Sequence, residues 1–235
     1  MKPLVRRLLV VSSTQDEARR LVEGGEASAG HVVVADRQTA GRGRFGRAWL
    51  SPTGGLYATF VLEPLSIPSI RAGLALVETL AQLGLATTLK WPNDVLVDGK
   101  KLAGVLVETA GELLLVGIGV NLTTTPLSTA AAACDHGAPI DEDAFLFEVW
   151  ERFERDRPTR DALAAYRSVC ETLGRPVRIV LGEGRAPIEG VAEDVDEDGC
   201  LIVSTRAGRR SIFSGECLHL GPPRANAFDG PSEGG

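Results

Sequence analysis

Lysine is scarce in this chain. Lys2, Lys90, Lys100 and Lys101 are its only four, and the other 21 of the 25 basic residues are arginines. Three of these lysines fall between residues 90 and 101. A chain so biased toward arginine keeps lysine where a flexible ammonium point charge does something a planar guanidinium cannot. Histidine is sparse too: His31, His136 and His219 are scattered, which leaves a histidine metal centre or a serine triad without support. Cys134, Cys170, Cys200 and Cys217 are widely spaced with no CxxC pair, so they read as reduced thiols, not as a zinc site or disulfide framework. No apolar run reaches the ~18 residues needed to cross a bilayer. The opening MKPLVRRLLVVSST has an apolar run too short for a secretory signal and no small-residue cleavage site after it. A net charge of −6 argues against nucleic acid as a main partner, because phosphate-backbone binding needs a basic face. These absences lead us to expect a soluble, cytoplasmic protein with neither a membrane nor a nucleic-acid partner.

Against that acidic background, one stretch combines a local concentration of positive charge with glycine. Gln38 to Trp49 reads QTAGRGRFGRAW, with Gly41, Gly43 and Gly46 interleaved with Arg42, Arg44 and Arg47. Glycine lets a backbone turn tightly and bring N–H groups close to a ligand. Arginine adds a charged fork that matches carboxylate or phosphate. The segment therefore reads as a lid or cradle for an anionic small molecule. It lacks the Gly-Lys-Ser/Thr ending of a P-loop, and its glycine spacing fails the dinucleotide fingerprint.

The 235 residues fit a core domain plus a small appendage, and 44% hydrophobic residues suffice for a substantial core. Leu8 to Val11 reads as a strand, and Gln15 to Glu23 as a helix with Asp16 and Glu17 in its first turn. His31 to Ala35 and Leu56 to Leu62 are strand-like, while Ile70 to Leu83 carries apolar residues at helical spacing. Thr87 to Trp91 is a short strand, followed by a hairpin (Val95 to Val97, a turn at Asp98-Gly99, then Leu102 to Glu108) and a strand over Leu113 to Val120. Residues 123 to 139 read as irregular, and helices are expected over Asp141 to Arg155 and Thr159 to Leu173. Beyond Gly174 the pattern changes to short strands (Val177 to Leu181, Ile188 to Val195, Leu201 to Thr205, Arg210 to Phe213), which predict a small β-barrel of ~45 residues. The expected division is 1–173, 174–220 and a disordered tail over 221–235, rich in Pro and Gly.

A second constellation is KWPNDVLVDGKKLAGVLVE, Lys90 to Glu108. Lys90, Asn93 and Asp94 end a strand, and Trp91 and Pro92 fix the turn. Lys100 reads as a solvated lysine at the hairpin tip. Lys101 is different, because it opens an apolar strand with Ala103 and Gly104 behind it, where a ligand can lie flat against the backbone.

SST before an acidic helix start, QTAGRGRxGRxW, KWPND with KKLAGVLVE, and GIGVN, in this order, closely resemble the biotin protein ligases. The resemblance spans about Leu8 to Leu220. It implies an α/β (α+β) fold: a mixed, largely antiparallel sheet with helices packed on it, a core of the class II synthetase-like biotin/lipoate ligase type, and a C-terminal SH3-like β-barrel. Within this sequence the resemblance leads us to expect the enzyme-only type, without the N-terminal DNA-binding domain of the repressor-type members. The implied activity is ATP-dependent attachment of biotin to a lysine of a biotin carboxyl-carrier protein through biotinyl-5′-AMP, with ATP and Mg2+ required. A monomer and a homodimer both occur in the family.

Residue by residue, Ser13, Thr14 and Gln38 resemble the polar contacts to the biotin ring, with Gly41, Arg42 and Gly104 also lining the biotin path. Arg42, Arg44 and Arg47 resemble the cations on the ATP or adenylate, Arg44 being the one that holds the adenylate. Trp49 resembles a wall for the adenine or the biotin tail. Lys101 resembles the lysine bridging the biotin carboxylate and the α-phosphate. Lys90, Asn93 and Asp94 resemble the ATP and metal side, with Asp94 the expected magnesium ligand and a candidate proton acceptor, and Asn121 resembles a residue near the adenine. The chain departs from the family in two places. Phe45 stands where many members carry a further arginine, and Gln15 replaces a common asparagine. Two other functions stay open at this point: a lipoate–protein ligase and a non-catalytic biotin-binding module.

Overall fold

The computed structural model describes residues 2–125, 127–137, 140–155, 158–182 and 184–221. Strand β1 (Leu4–Val11) pairs in parallel with β2 (His31–Gln38), and helix α1 (Thr14–Glu23) makes the crossover. A parallel pair needs such a connection. Its consequence here is that the start of α1 and the end of β2 emerge together: Thr39 N donates to Val11 O and Ala40 N to Ser12 O. The remaining strands are antiparallel: β3 (Gly55–Leu62), β4 (Thr88–Lys90), β5 (Asp94–Val97), β6 (Lys100–Ala110) and β7 (Leu113–Asn121). They complete a seven-stranded sheet in the order β1-β2-β3-β7-β6-β5-β4.

Apolar residues fill both faces of this sheet in alternation. Val32 and Val34 join the main core beneath α2 (Pro68–Gln82), α3 (Glu142–Glu154) and α4 (Thr159–Val169), whereas Val33, Val61, Ala110 and Leu115 pack against Ala18 and Leu21 of α1. A strand buried on two sides reads as a continuous apolar run, which is why β2 and β3 are legible in sequence. Short α1 covers the part of its face around Val33, Val61 and Leu115. The rest of that face, around Gly104 and Gly119, is left for the site.

The second unit is a five-stranded antiparallel sheet: β8 (Pro176–Val180), β9 (Ile188–Val195), β10 (Leu201–Thr205), β11 (Gly208–Ile212) and β12 (Glu216–His219), in the order β11-β10-β9-β8-β12. Where a barrel is expected the structure has this β-sheet, and among the described residues no β11–β12 pairing closes it. Its Val177, Ile179, Leu201 and Val203 join Leu89, Trp91 and Tyr166 in one continuous core, so the two units share an interior.

Several boundaries differ from the sequence expectation. β1 starts at Leu4, not Leu8, because Leu4 to Arg7 pair with His31 to Val34. Two arginines are tolerated there because this edge strand is largely exposed, and Arg7 reaches Glu142 at 2.7 Å. α4 ends at Val169, not Leu173, since Cys170 turns extended (φ −84°, ψ 102°) and Glu171 N donates to Leu89 O at 2.9 Å. A 3-10 turn, Ala133–His136, lies within the segment read as irregular. β12 has no counterpart among the expected strands, being four residues long and too short to show a period. The expected disordered tail lies, from residue 222 on, outside the described residues. No described helix is long and apolar enough to cross a membrane.

Candidate active site

The site is a cleft of about 180 Å³ on the α1 side of the large sheet. One end is uncharged. Ser13, Thr14 and Gln15 sit at the start of α1, all at most 4% exposed, which is unusual for polar side chains. Their hydrogen bonds explain the burial. Gln38 Oε1 accepts from Thr14 N at 2.8 Å and from Thr14 Oγ1 at 3.2 Å. Thr59, fully buried in β3, faces Thr14 Oγ1 at 3.0 Å and Gln15 Oε1 at 3.1 Å, and Gln15 Nε2 donates to Leu115 O at 3.0 Å. Gln15 thus uses its longer arm to bind the sheet, and Ser13, whose Oγ faces Asp16 N at 3.5 Å, sits at the helix cap. Gln15 lies so close to β7 that a Cβ on Gly117 would come within 2.6 Å of its Oε1.

The other end of the cleft is cationic. Lys101 Nζ lies 2.6 Å from Asp94 Oδ1 and 5.1 Å from the centre of the Trp49 ring. A β-bulge creates this arrangement. β5 and β6 pair as Asp94↔Gly104 and Val95↔Ala103, then Leu96↔Lys101, so Leu102 is an extra residue. In a regular strand, residues three apart point to opposite faces; the bulge turns Lys101 onto the face of Gly104, where a Gly104 Cβ would sit 3.2 Å from Lys101 Cε. Gly104 opposes Gly119 of β7, and the Trp49 indole lies across both. The backbone surface at Gly104, expected to receive a ligand, therefore carries Trp49, whose buried Nε1 has no hydrogen-bond partner among the described residues.

The arginines of the loop occupy three different environments. Arg42 is drawn toward carboxylates, at 2.6 Å from Asp16 and 3.2 Å from Glu108; burial opposes its charge, but these partners raise its pKa overall. Arg44 turns inward, with Nη2 donating to Ser214 Oγ at 2.7 Å and Nη1 3.4 Å from both Asn93 Oδ1 and Gly215 O. Burial lowers its pKa, partly countered by Asp94. Arg47 is paired with Glu216, whose carboxyl pKa is lowered by that hydrogen bond. Phe45, between them, takes a left-handed φ of 56° and is exposed.

The second sheet therefore forms part of the cleft, and Gly215, Glu216 and Cys217 line it beside Lys90. Its β9–β10 turn also holds the KWPND turn, since Trp91 Nε1 donates to Gly199 O at 3.1 Å, while Trp91 N donates to Thr172 Oγ1, ahead of β8, at 3.0 Å. Asn93 Nδ2 is spent on Val105 O at 2.8 Å.

Two expected site residues lie outside the cleft lining. Gly41 packs behind the loop, against Trp49 O and Ser51. Asn121 is buried and donates to Ala131 O at 3.0 Å, and Ala131 N in turn donates to Lys101 O at 3.0 Å, so its side chain is linked to the site through the main chain of Lys101. Sequence reading missed Ser51, Thr59, Glu108 and Ser214 to Glu216. Among these, the local signals are a lone threonine in the apolar run GLYATFVL and the glutamate that ends KKLAGVLVE.

A cleft with neutral donors and acceptors at one end and convergent cations at the other suits an enzyme that brings a polar-headed carboxylate to a phosphate, a carboxylate-activating ligase. Residues 8–123 match the Biotin/lipoate A/B protein ligase family, and residues 172–220 match the Biotin protein ligase C terminal domain. The biotin–[acetyl-CoA-carboxylase] ligase of Paracoccus denitrificans is 35% identical over 89% of this chain and 98% of its own length. That of Mycobacterium tuberculosis is 33% identical over 92% and 90%. The solved biotin protein ligase of Aquifex aeolicus in complex with biotin and ATP matches at TM-score 0.79 and 33% identity, over 92% of this chain and 97% of that one. The chain belongs to the biotin protein ligase family.

Proposed function

We propose that this protein activates biotin with ATP and transfers the biotinyl group to a lysine of the carrier domain of a biotin-dependent carboxylase. The observation that carries the reading is the polarity of the cleft: the hydroxyl–amide cluster of Ser13, Thr14 and Gln38 at one end, and Lys101 with Arg44 at the other. A ureido ring presents two N–H donors and one carbonyl acceptor, which hydroxyls and an amide can meet.

In the first step a biotin carboxylate oxygen bonds to the α-phosphorus of ATP, and the bond to pyrophosphate breaks. Two anions must approach, so a cation positioned in advance lowers the barrier. Lys101, held by Asp94 against Trp49, is that cation, assisted by Arg44, Arg42 and Arg47 on the nucleotide side. In the second step the acceptor amine bonds to the acyl carbon, and the bond to AMP breaks. The Gly/Arg loop keeps water from the mixed anhydride in the interval.

The donor set fits a magnesium ion that arrives on the triphosphate. Among the described residues no three His, Cys, Asp or Glu side chains gather into a metal cage, and Mg2+ commonly takes one protein carboxylate and completes its shell with phosphates and water. Asp94 would supply that carboxylate; bound there, the ion would neutralise phosphate charge.

Biotin-dependent release of pyrophosphate from MgATP, with lipoate in parallel, tests the proposal. Release with biotin alone is expected. Release with lipoate alone would move the chain to lipoate ligation. Biotin binding without release would make it a non-catalytic biotin-binding module.

A further inference from the structure

Ser51 lies just past the Gly/Arg loop, in a segment whose composition reads only as a turn, yet it is 5% exposed. Its hydroxyl accepts from Gln38 Nε2 at 2.8 Å and donates to Trp49 O at 3.0 Å. The orientation of the Gln38 amide follows from its other end. Oε1 faces the main-chain N–H of Thr14 at 2.8 Å, a group that can only donate, so Nε2 must face Ser51. With its single proton on Trp49 O, Ser51 is left with acceptor capacity alone, which suits Nε2 and rejects the flipped amide. The main chains join here as well, Gln38 N donating to Ser51 O at 3.1 Å. Gly41 closes the junction: a Cβ there would lie 2.5 Å from Trp49 O, 2.6 Å from Ser51 Oγ and 2.9 Å from Gln38 Nε2.

We propose that Ser51 is a positioning residue of the biotin site, locking the Gln38 amide for its ligand contact and tying that contact to the main chain of the Gly/Arg loop at Trp49. The assignment rests on the biotin reading above. Ser51 does not line the cleft; it acts through Gln38. Two polar partners form a chain across the base of the loop, Trp49 O to Ser51 to Gln38 to Thr14, and each link leaves one choice of donor for the next. Occupancy of the uncharged end of the cleft is thereby transmitted to the loop that covers the charged end.

A double-mutant cycle on the full chain tests this, with biotin dissociation constants from calorimetric titration and thermal melts of each protein. Wild type, Ser51→Ala, Gln38→Ala and the double variant are compared. Ser51→Ala is expected to weaken biotin binding about tenfold, the scale of one hydrogen bond, and to change it less than about twofold further in the Gln38→Ala background. Equal losses in both backgrounds, an unchanged dissociation constant, or a Ser51→Ala chain unfolded at the titration temperature would each overturn the positioning role. A wild type that binds no biotin overturns the biotin reading itself, and the Ser51 assignment with it.

Discussion

Lys101 and Asp94 face each other across β5 and β6, Nζ to Oδ1 at 2.6 Å, with the Trp49 ring over the ammonium. The pair holds a flexible side chain in place before any substrate arrives. Lys101→Ala is expected to lower biotin-dependent pyrophosphate release by about 10²–10³-fold, the usual loss for one preorganised donor. The melting temperature should fall by only a few degrees, because the pair is partly exposed. Near-normal release would remove Lys101 from the chemistry.

Arg44 spans both units, bonded to Ser214 Oγ and close to Asn93 Oδ1. Replacing it with glycine removes this tie and one of the cations beside the KWPND turn. Arg44→Gly is expected to form biotinyl-adenylate and then release it, so that lysines of bystander proteins are labelled. Gel filtration of a turnover mixture checks this: the variant's adenylate should elute free, and co-elution with protein as in wild type would show that Arg44 is not the clamp.

Gly119 offers Trp49 a surface with no side chain, and a Cβ there would overlap the indole. Gly119→Ala should push Trp49 off the sheet at a cost of about 1–3 kcal/mol, as overpacking does. Biotin affinity and tryptophan fluorescence should both change. A variant with the wild-type emission spectrum and melting curve would mean that the indole does not rest there in solution.

His219 links the units, its Nε2 3.0 Å from Thr172 Oγ1. Burial, with Lys90 and Arg175 adding to it, depresses its pKa from 6.5 to about 4, although Glu171 pulls the other way. The folded state therefore holds this imidazole neutral while the unfolded chain takes up a proton below pH 6.5. Stability is complete above that pH and is lost as the pH falls from 6.5 toward 4. Between pH 8 and 5.5 the loss amounts to about 1 kcal/mol. Denaturant unfolding of His219→Gln should show a flatter pH dependence over that window. An identical slope in both proteins would refute the assignment.

Much of this protein was legible in sequence because its elements carry strong local signals. β2 and β3 are apolar on both faces, α2 repeats at helical spacing, and Asp98-Gly99 marks a hairpin. The Gly/Arg loop and KWPND stand out because arginine and lysine are otherwise distributed so unequally. The order of motifs determined the family, and residue types determined which side chains could meet an anion.

Tertiary structure alone decided how those side chains meet. Lys101 and Gly104 are three apart, a spacing that separates them in a regular strand, and only the extra residue at Leu102 puts them on one face. Glu216 opens a strand too short to read and Ser214 lies in the turn before it; both reach the loop from about 170 residues later in the chain. Ser51 looks like turn chemistry until Gln38, Trp49 and Gly41 are seen to close around it. Local sequence carries propensity and charge, which act over a few residues. Hydrogen-bond direction, strand register and the approach of a second unit depend on atoms far apart in the chain, and they exist only once it has folded.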